Sequence, residues 1–229
     1  MPAGGAPSGW SVVELAGSAG DLHHRDTVPA PRTVTLCRVS GSALVLGSTQ
    51  PAADVDRVRA DSFGLEIVRR RSGGGAVLVE PGAMAWIEVY VSRDDPLWVP
   101  DVGRAFWWLG QVWADALTAL GVAGAEVHRG QPVATAWSAK VCFAGTGAGE
   151  VTVRGRKIVG IAQRRTRAGA LFQCAALMEW DARRLLEVLD LAEPERAEGA
   201  VALAAAAAGL GPAIRVDDIE RALVLHLPS

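Results

Sequence analysis

Apolar and polar positions alternate most cleanly over residues 85–92. Ala85, Ile87, Val89 and Val91 point one way, and Trp86, Glu88, Tyr90 and Ser92 the other. That period of two predicts a half-buried β-strand. Shorter β-rich runs occupy residues 33–39 and 43–46, expected to pair as a hairpin across Ser40-Gly41-Ser42. Two more, 65–71 and 76–79, flank Ser72-Gly73-Gly74-Gly75. The period changes over residues 102–120, where Val102, Phe106, Leu109, Trp113, Ala116 and Leu120 recur at helical spacing and Gly121 supplies a stop. Residues 150–163 read as a hairpin turning at Gly155, with Lys157, Val159, Ile161 and Gln163 expected on one face of the return strand. Another strand is read at 170–180, a short helix at 54–63, and helices at 181–191, 193–210 and 217–225, the alanine tract reflecting helix propensity.

Strands, a long helix, more strands and then helices predict an α+β fold of mixed or antiparallel sheets packed with helices. No internal repeat or long linker divides the chain. The expected organisation is a loose amino-terminal segment over 1–29 and a single domain over 30–229, helical from about residue 182.

Composition narrows the function. Half of the 229 residues are hydrophobic and 21% are charged, ordinary for a globular chain, and the net charge of −2 supplies no basic field for nucleic acid. The start lacks a charged and apolar leader, and the longest apolar run, 201–208, is too short to cross a bilayer. Cys37, Cys142 and Cys174 are too few and too scattered for a disulfide framework or a zinc site, so a reducing, cytoplasmic setting without membrane or metal is expected. Of the 23 basic residues only Lys140 and Lys157 are lysines. A chain that otherwise uses arginine has reason to keep a compact ammonium where it does.

Three places could carry chemistry. The glycines of Ser72–Gly75, preceded by Arg69-Arg70-Arg71, let backbone approach a ligand and aim N–H groups at it, although the pattern is neither a P-loop nor a dinucleotide fingerprint. Cys142 is a candidate nucleophile, given Lys140 two residues before it and Lys157 on the following hairpin. His128 could serve as its base, although no spacing ties the two. Cys37 reads as core, Cys174 is ambiguous, and His23 and His24 read as solvated.

Together, Arg69 to Val77 and, about eighty residues later, Gly155-Arg156-Lys157-Ile158-Val159-Gly160-Ile161-Ala162-Gln163-Arg164 resemble the lipoate–protein ligase and octanoyltransferase catalytic domain, a family that also includes the biotin–protein ligases. Leu46-Gly47-Ser48-Thr49-Gln50 is similar to the family's glycine–glutamine turn, and the resemblance covers roughly residues 30–185. It implies the biotin/lipoate ligase-like fold and acyl transfer, octanoyl or lipoyl, to a lysine of a lipoyl carrier domain. It implies further that Arg70, Ser72, Gly73, Gly74, Gly75, Gly160 and Gln163 line the acyl site, and that Lys157 stabilises the acyl carbonyl.

Cys142-Phe143 looks like the nucleophile motif of the cysteine octanoyltransferases, which take the acyl group from an octanoyl-carrier thioester without a cofactor. The alternative is a ligase that activates free lipoate or octanoate with ATP and Mg²⁺. Where many ligases show a histidine–acid pair and then glycine–asparagine, this chain has Val79-Glu80 and Gly82-Ala83, which weakens the ATP reading most. Gln173-Cys174-Ala175 stands where transferases often show glutamine–histidine–glycine, which brings Cys174 into question as well. A third reading is a non-catalytic relative that binds the acyl group or the carrier.

Overall fold

The computed structural model describes residues 7, 9–26 and 31–229. Apart from residues 7 and 9, the tail at the very start lies outside the described residues. Residues 11–24, within the segment expected to be loose, are built into the fold. Strand β1 (Ser11–Gly17) pairs parallel with β2 (Arg32–Val39), and between them α1 (Ala19–His24) begins at a capping box in which Ser18 and Asp21 satisfy each other's backbone N–H.

The remaining strands are β3 (Ala43–Leu46), β4 (Glu66–Arg69), β5 (Val77–Val79), β6 (Met84–Ser92), β7 (Ala125–Val127), β8 (Val151–Val153), β9 (Arg156–Arg165) and β10 (Gly169–Leu177). They form a seven-stranded sheet ordered β1-β2-β6-β10-β9-β8-β7 and a three-stranded sheet ordered β4-β3-β5. The expected hairpin between β2 and β3 is therefore not made, since the two strands belong to different sheets. All four residues of β3 are buried: Ala43 and Val45 face the large sheet, while Leu44 and Leu46 pack towards the helical side. Both edges of β2 are already taken, by β1 and by β6.

Helix α3 (Trp107–Ala119), entered through a 3-10 turn at Arg104–Phe106, covers one face of the large sheet together with α6 (Val216–Leu225). The other face carries the small sheet. Beneath the small sheet lie α2 (Arg57–Ser62), α4 (Ala182–Glu187) and α5 (Glu193–Ala206). Because β6 lies between covered faces, its alternation does not separate core from solvent. Eight of its nine residues are buried, Glu88 included, which corrects the half-buried expectation.

The β8–β9 hairpin turns through Arg154 and Gly155, both at positive φ. Its register then slips: Val151 faces Val159 but Thr152 faces Lys157, so Ile158 is an extra residue in β9. Ile158 and Val159 both enter the core beneath α3. Lys157 emerges on the opposite face, beside Gly160. The expectation that Lys157 shares a face with Val159, Ile161 and Gln163 is thus overturned by one bulge.

Candidate active site

Between the large sheet and the loops above it lies a cavity of about 430 Å³, whose wall includes Arg70, Ser72, Gly73, Gly74, Cys142, Lys157, Gly160 and Gln163. The structure therefore brings together both candidate catalytic residues and all but one of the candidate binding residues. The exception, Gly75, sits behind the loop, where a Cβ would overlap the backbone of Lys140 and Val141. Its missing side chain lets Ala76 bridge to Val141 and fixes the Cys142 segment against the glycine loop.

Arg70 is buried, and its guanidinium donates to the carbonyls of Gly73 (2.7 Å) and Gly75 (2.9 Å), so it shapes the loop from within. Arg69 likewise donates to the Gly47 and Gln50 carbonyls, at 2.8 and 2.7 Å. Ser72 Oγ is buried without a hydrogen-bond partner among the described residues.

Lys157 is 2% exposed. Its three donors reach Glu150 Oε2 at 2.7 Å, the Cys142 carbonyl at 3.1 Å and the Gly145 carbonyl at 3.2 Å, with Nζ 4.8 Å from the centre of the Phe143 ring. The ammonium thus holds the backbone of Cys142, which lines the same cavity. Glu150 also accepts from the backbone N–H groups of Gly147 (2.6 Å) and Ile161 (3.2 Å), tying Lys157 to the loop and to β9. The sequence reading used Glu150 only as the start of a hairpin. The available signal was a carboxylate in a glycine-rich, apolar stretch opposite the chain's rare lysine.

Gly160 forms the floor, where a Cβ would lie 3.2 Å from the Phe143 ring and 3.3 Å from the Lys157 stem. Gln163 contributes to the wall, but its cross-strand partner Phe172 belongs to the core beneath α3 and its Oε1 accepts from Arg165. Its amide is therefore engaged on the far side of the sheet. Cys174, in register with Ile161 and Ile87, packs in that same core, and burial pushes its thiol up to about 12. Cys37 is core as expected, its thiol pushed up by burial and by the Glu88 carboxylate.

Of the histidines, His128 stays outside the cavity, its ring bonded to the Gln131 carbonyl at 2.8 Å. His23, expected to be solvated, instead lines the cavity with its ring 4.4 Å from that of Trp86. Burial, Arg70 and His24 lower its pKa to about 4, so it is a neutral imidazole at pH 7. The Ser18–Asp21 capping box was the local signal for the helix that places it. Among the described residues no cluster of three or more His, Cys, Asp or Glu side chains could hold a metal, and no helix is long and apolar enough to cross a membrane.

The octanoyltransferase LipM of Clostridioides difficile (strain 630) is 23% identical over 179 residues, which cover 76% of this chain and 65% of that protein, so the chain spans just under two thirds of its curated relative. A bipartite lipoate protein ligase from Thermoplasma acidophilum, studied with its E2 lipoyl domain, superposes with a TM-score of 0.71 at 20% identity, over 93% of this chain and 80% of that one. A lipoate-protein ligase A bound with ATP gives 0.57 at 16% identity, over 94% and 93% of the two chains. These likenesses share the mixed-sheet fold. The model of the lipoyl protein ligase A/B catalytic domain matches residues 21–227, and the chain belongs to that family.

Proposed function

We propose that this chain transfers an octanoyl or lipoyl group from a carrier thioester to a lysine of a lipoyl domain, through a thioester on Cys142. The observation that carries the proposal is the hydrogen bond from Lys157 Nζ to the Cys142 carbonyl, 3.1 Å, with Cys142 in the wall of the same apolar cavity. In the first half-reaction the Cys142 thiolate attacks the donor carbonyl carbon. The new C–S bond forms, the donor's C–S bond breaks, and the departing thiol takes the proton that Cys142 gave up. In the second, the acceptor amine attacks the acyl-enzyme, the amide C–N bond forms as the C–S bond to Cys142 breaks, and the proton released by nitrogen goes to Sγ. Lys157 supplies fixed positive charge beside the carbonyl oxygen in both steps, its position held by Glu150.

The relative named an octanoyltransferase and the neighbour studied with a lipoyl domain support this choice of chemistry and acceptor. The ATP-dependent reading draws on the neighbouring lipoate-protein ligase A bound with ATP, and in it Cys142 is structural while Lys157 meets an adenylate. An assay of lipoyl-domain octanoylation from an octanoyl-carrier thioester separates the two. Product without ATP or Mg²⁺, lost in Cys142→Ala, supports the transferase. Product only from free acid with ATP and Mg²⁺ overturns it.

A further inference from the structure

The acyl cavity has a built end wall. His23 and Gln173 line it on one side, and on the other they line a second, much smaller cavity of about 10 Å³, room for a single water. The two side chains are thus a partition. Resting on the acyl-transfer reading above, we infer that His23 and Gln173 set the length of the straight acyl chain this enzyme accepts.

The floor of the large sheet shows the lane such a chain would follow. On the cavity face, one cross-strand row runs Gly160, Ala175, Trp86, Cys37, and the next runs Ala162, Gln173, Glu88, Thr35. The rows are two residues apart, ~6.8 Å along the strands. Gly160, Ala175 and Ala162 leave the floor open beside Lys157, while Val77, Val79, Met84 and Trp86 give the sides an apolar lining. At the second row the lane meets Gln173 from the sheet and His23 from α1.

The wall is held from behind. Gln173 Nε2 donates to Glu88 Oε1 at 2.7 Å and lies 3.5 Å from His23 Nδ1. Glu88 is ion-paired with Arg25, just beyond the end of α1, and is 1% exposed. His23 in turn packs on Trp86. Arg25, Arg71, Glu88 and Arg164 line the small cavity beside Leu22 and Leu171, so a methylene pushed past the wall would have to desolvate charged groups. Every methylene that fits in front of the wall gains apolar burial, and the first one beyond it does not.

Calorimetric titration with even-numbered straight-chain fatty acids from hexanoate to tetradecanoate reads this directly, without any catalytic step. In the unsubstituted protein, affinity should rise about fourfold per methylene, the ~0.8 kcal/mol of a buried CH₂, and then break at one chain length. His23→Ala and Gln173→Ala each join the two cavities, and the break should move at least two carbons longer. Ala162→Leu fills the lane in the row of Gln173 and should move it shorter, an opposite shift that loss of folding cannot mimic. An unmoved break in all three variants, each checked for its melting transition, overturns the inference, as does a wild-type affinity that rises through tetradecanoate without a break. If no fatty acid of any length binds the unsubstituted protein, the acyl-cavity reading fails along with it.

Discussion

Removing the Glu150 carboxylate should cost this protein more stability than removing the Lys157 ammonium it binds. Lys157 is almost wholly buried, and Glu150 is its only charged partner among the described residues. In Glu150→Ala the ammonium would keep the Cys142 and Gly145 carbonyls but lose its counter-charge, and breaking a buried pair from one side costs ~3–5 kcal/mol. The N–H groups of Gly147 and Ile161 also lose their acceptor, although the adjoining cavity can admit water to them and limit that addition. At ~2–4 °C per kcal/mol for a chain of this size, the melting temperature should fall by roughly 6–20 °C. Lys157→Met leaves Glu150 two backbone donors, so its loss should be smaller. The double variant should recover part of the single-variant cost, a coupling that a double-mutant cycle measures. Urea and thermal melts of the four proteins test this. Should Glu150→Ala melt within about one degree of the parent, the claim that Glu150 holds Lys157 in place is wrong.

Three further outcomes follow from the same packing. A thiol reagent added to the native protein should titrate one cysteine, Cys142, and reach Cys37 and Cys174 only on unfolding, because those two are buried with raised thiols while Cys142 is partly exposed; three fast thiols in the native state would contradict the packing. His23, at about 4 in the fold against 6.5 unfolded, binds fewer protons native than unfolded between those values. Its contribution to stability is therefore complete above pH 6.5 and is lost as pH falls towards 4, at up to ~1.4 kcal/mol per unit. His23→Leu should flatten the slope of stability between pH 6.5 and 5, as equilibrium unfolding at several pH values would show. Gly75→Ala should cost ~1–3 kcal/mol, because its Cβ meets the backbone of Lys140 and Val141 and the two segments must part; a denaturant midpoint equal to the parent's would mean that this contact is looser than described.

Local pattern located most of the elements, because α3, β6, β9 and β10 each carry a period or a turn that belongs to them alone. Apart from α1, whose capping box is local, what it missed was set by distant partners. The pleat of β6 was read correctly, yet the side carrying Trp86 and Glu88 is covered by a second sheet and by α1, and Glu88 is tolerated there through Arg25 and Gln173. Strands β2 and β3 are neighbours in sequence and members of different sheets, which no turn signal at Ser40–Ser42 could reveal. The site followed the same division. The glycine loop, Lys157 and Cys142 stood out by residue type, whereas Glu150 and His23 gained their places only when the hairpin bulge and the capped α1 brought them to the cavity.

The central claim is that Cys142 carries the acyl group, and intact-protein mass spectrometry tests it most directly. The chain is mixed with an octanoyl-carrier thioester, without ATP, beside a Cys142→Ala control. The account predicts a single octanoyl adduct that hydroxylamine removes, present in the unsubstituted protein and absent from the control. An adduct that persists in Cys142→Ala, or none in a protein that still octanoylates a lipoyl domain, would contradict it.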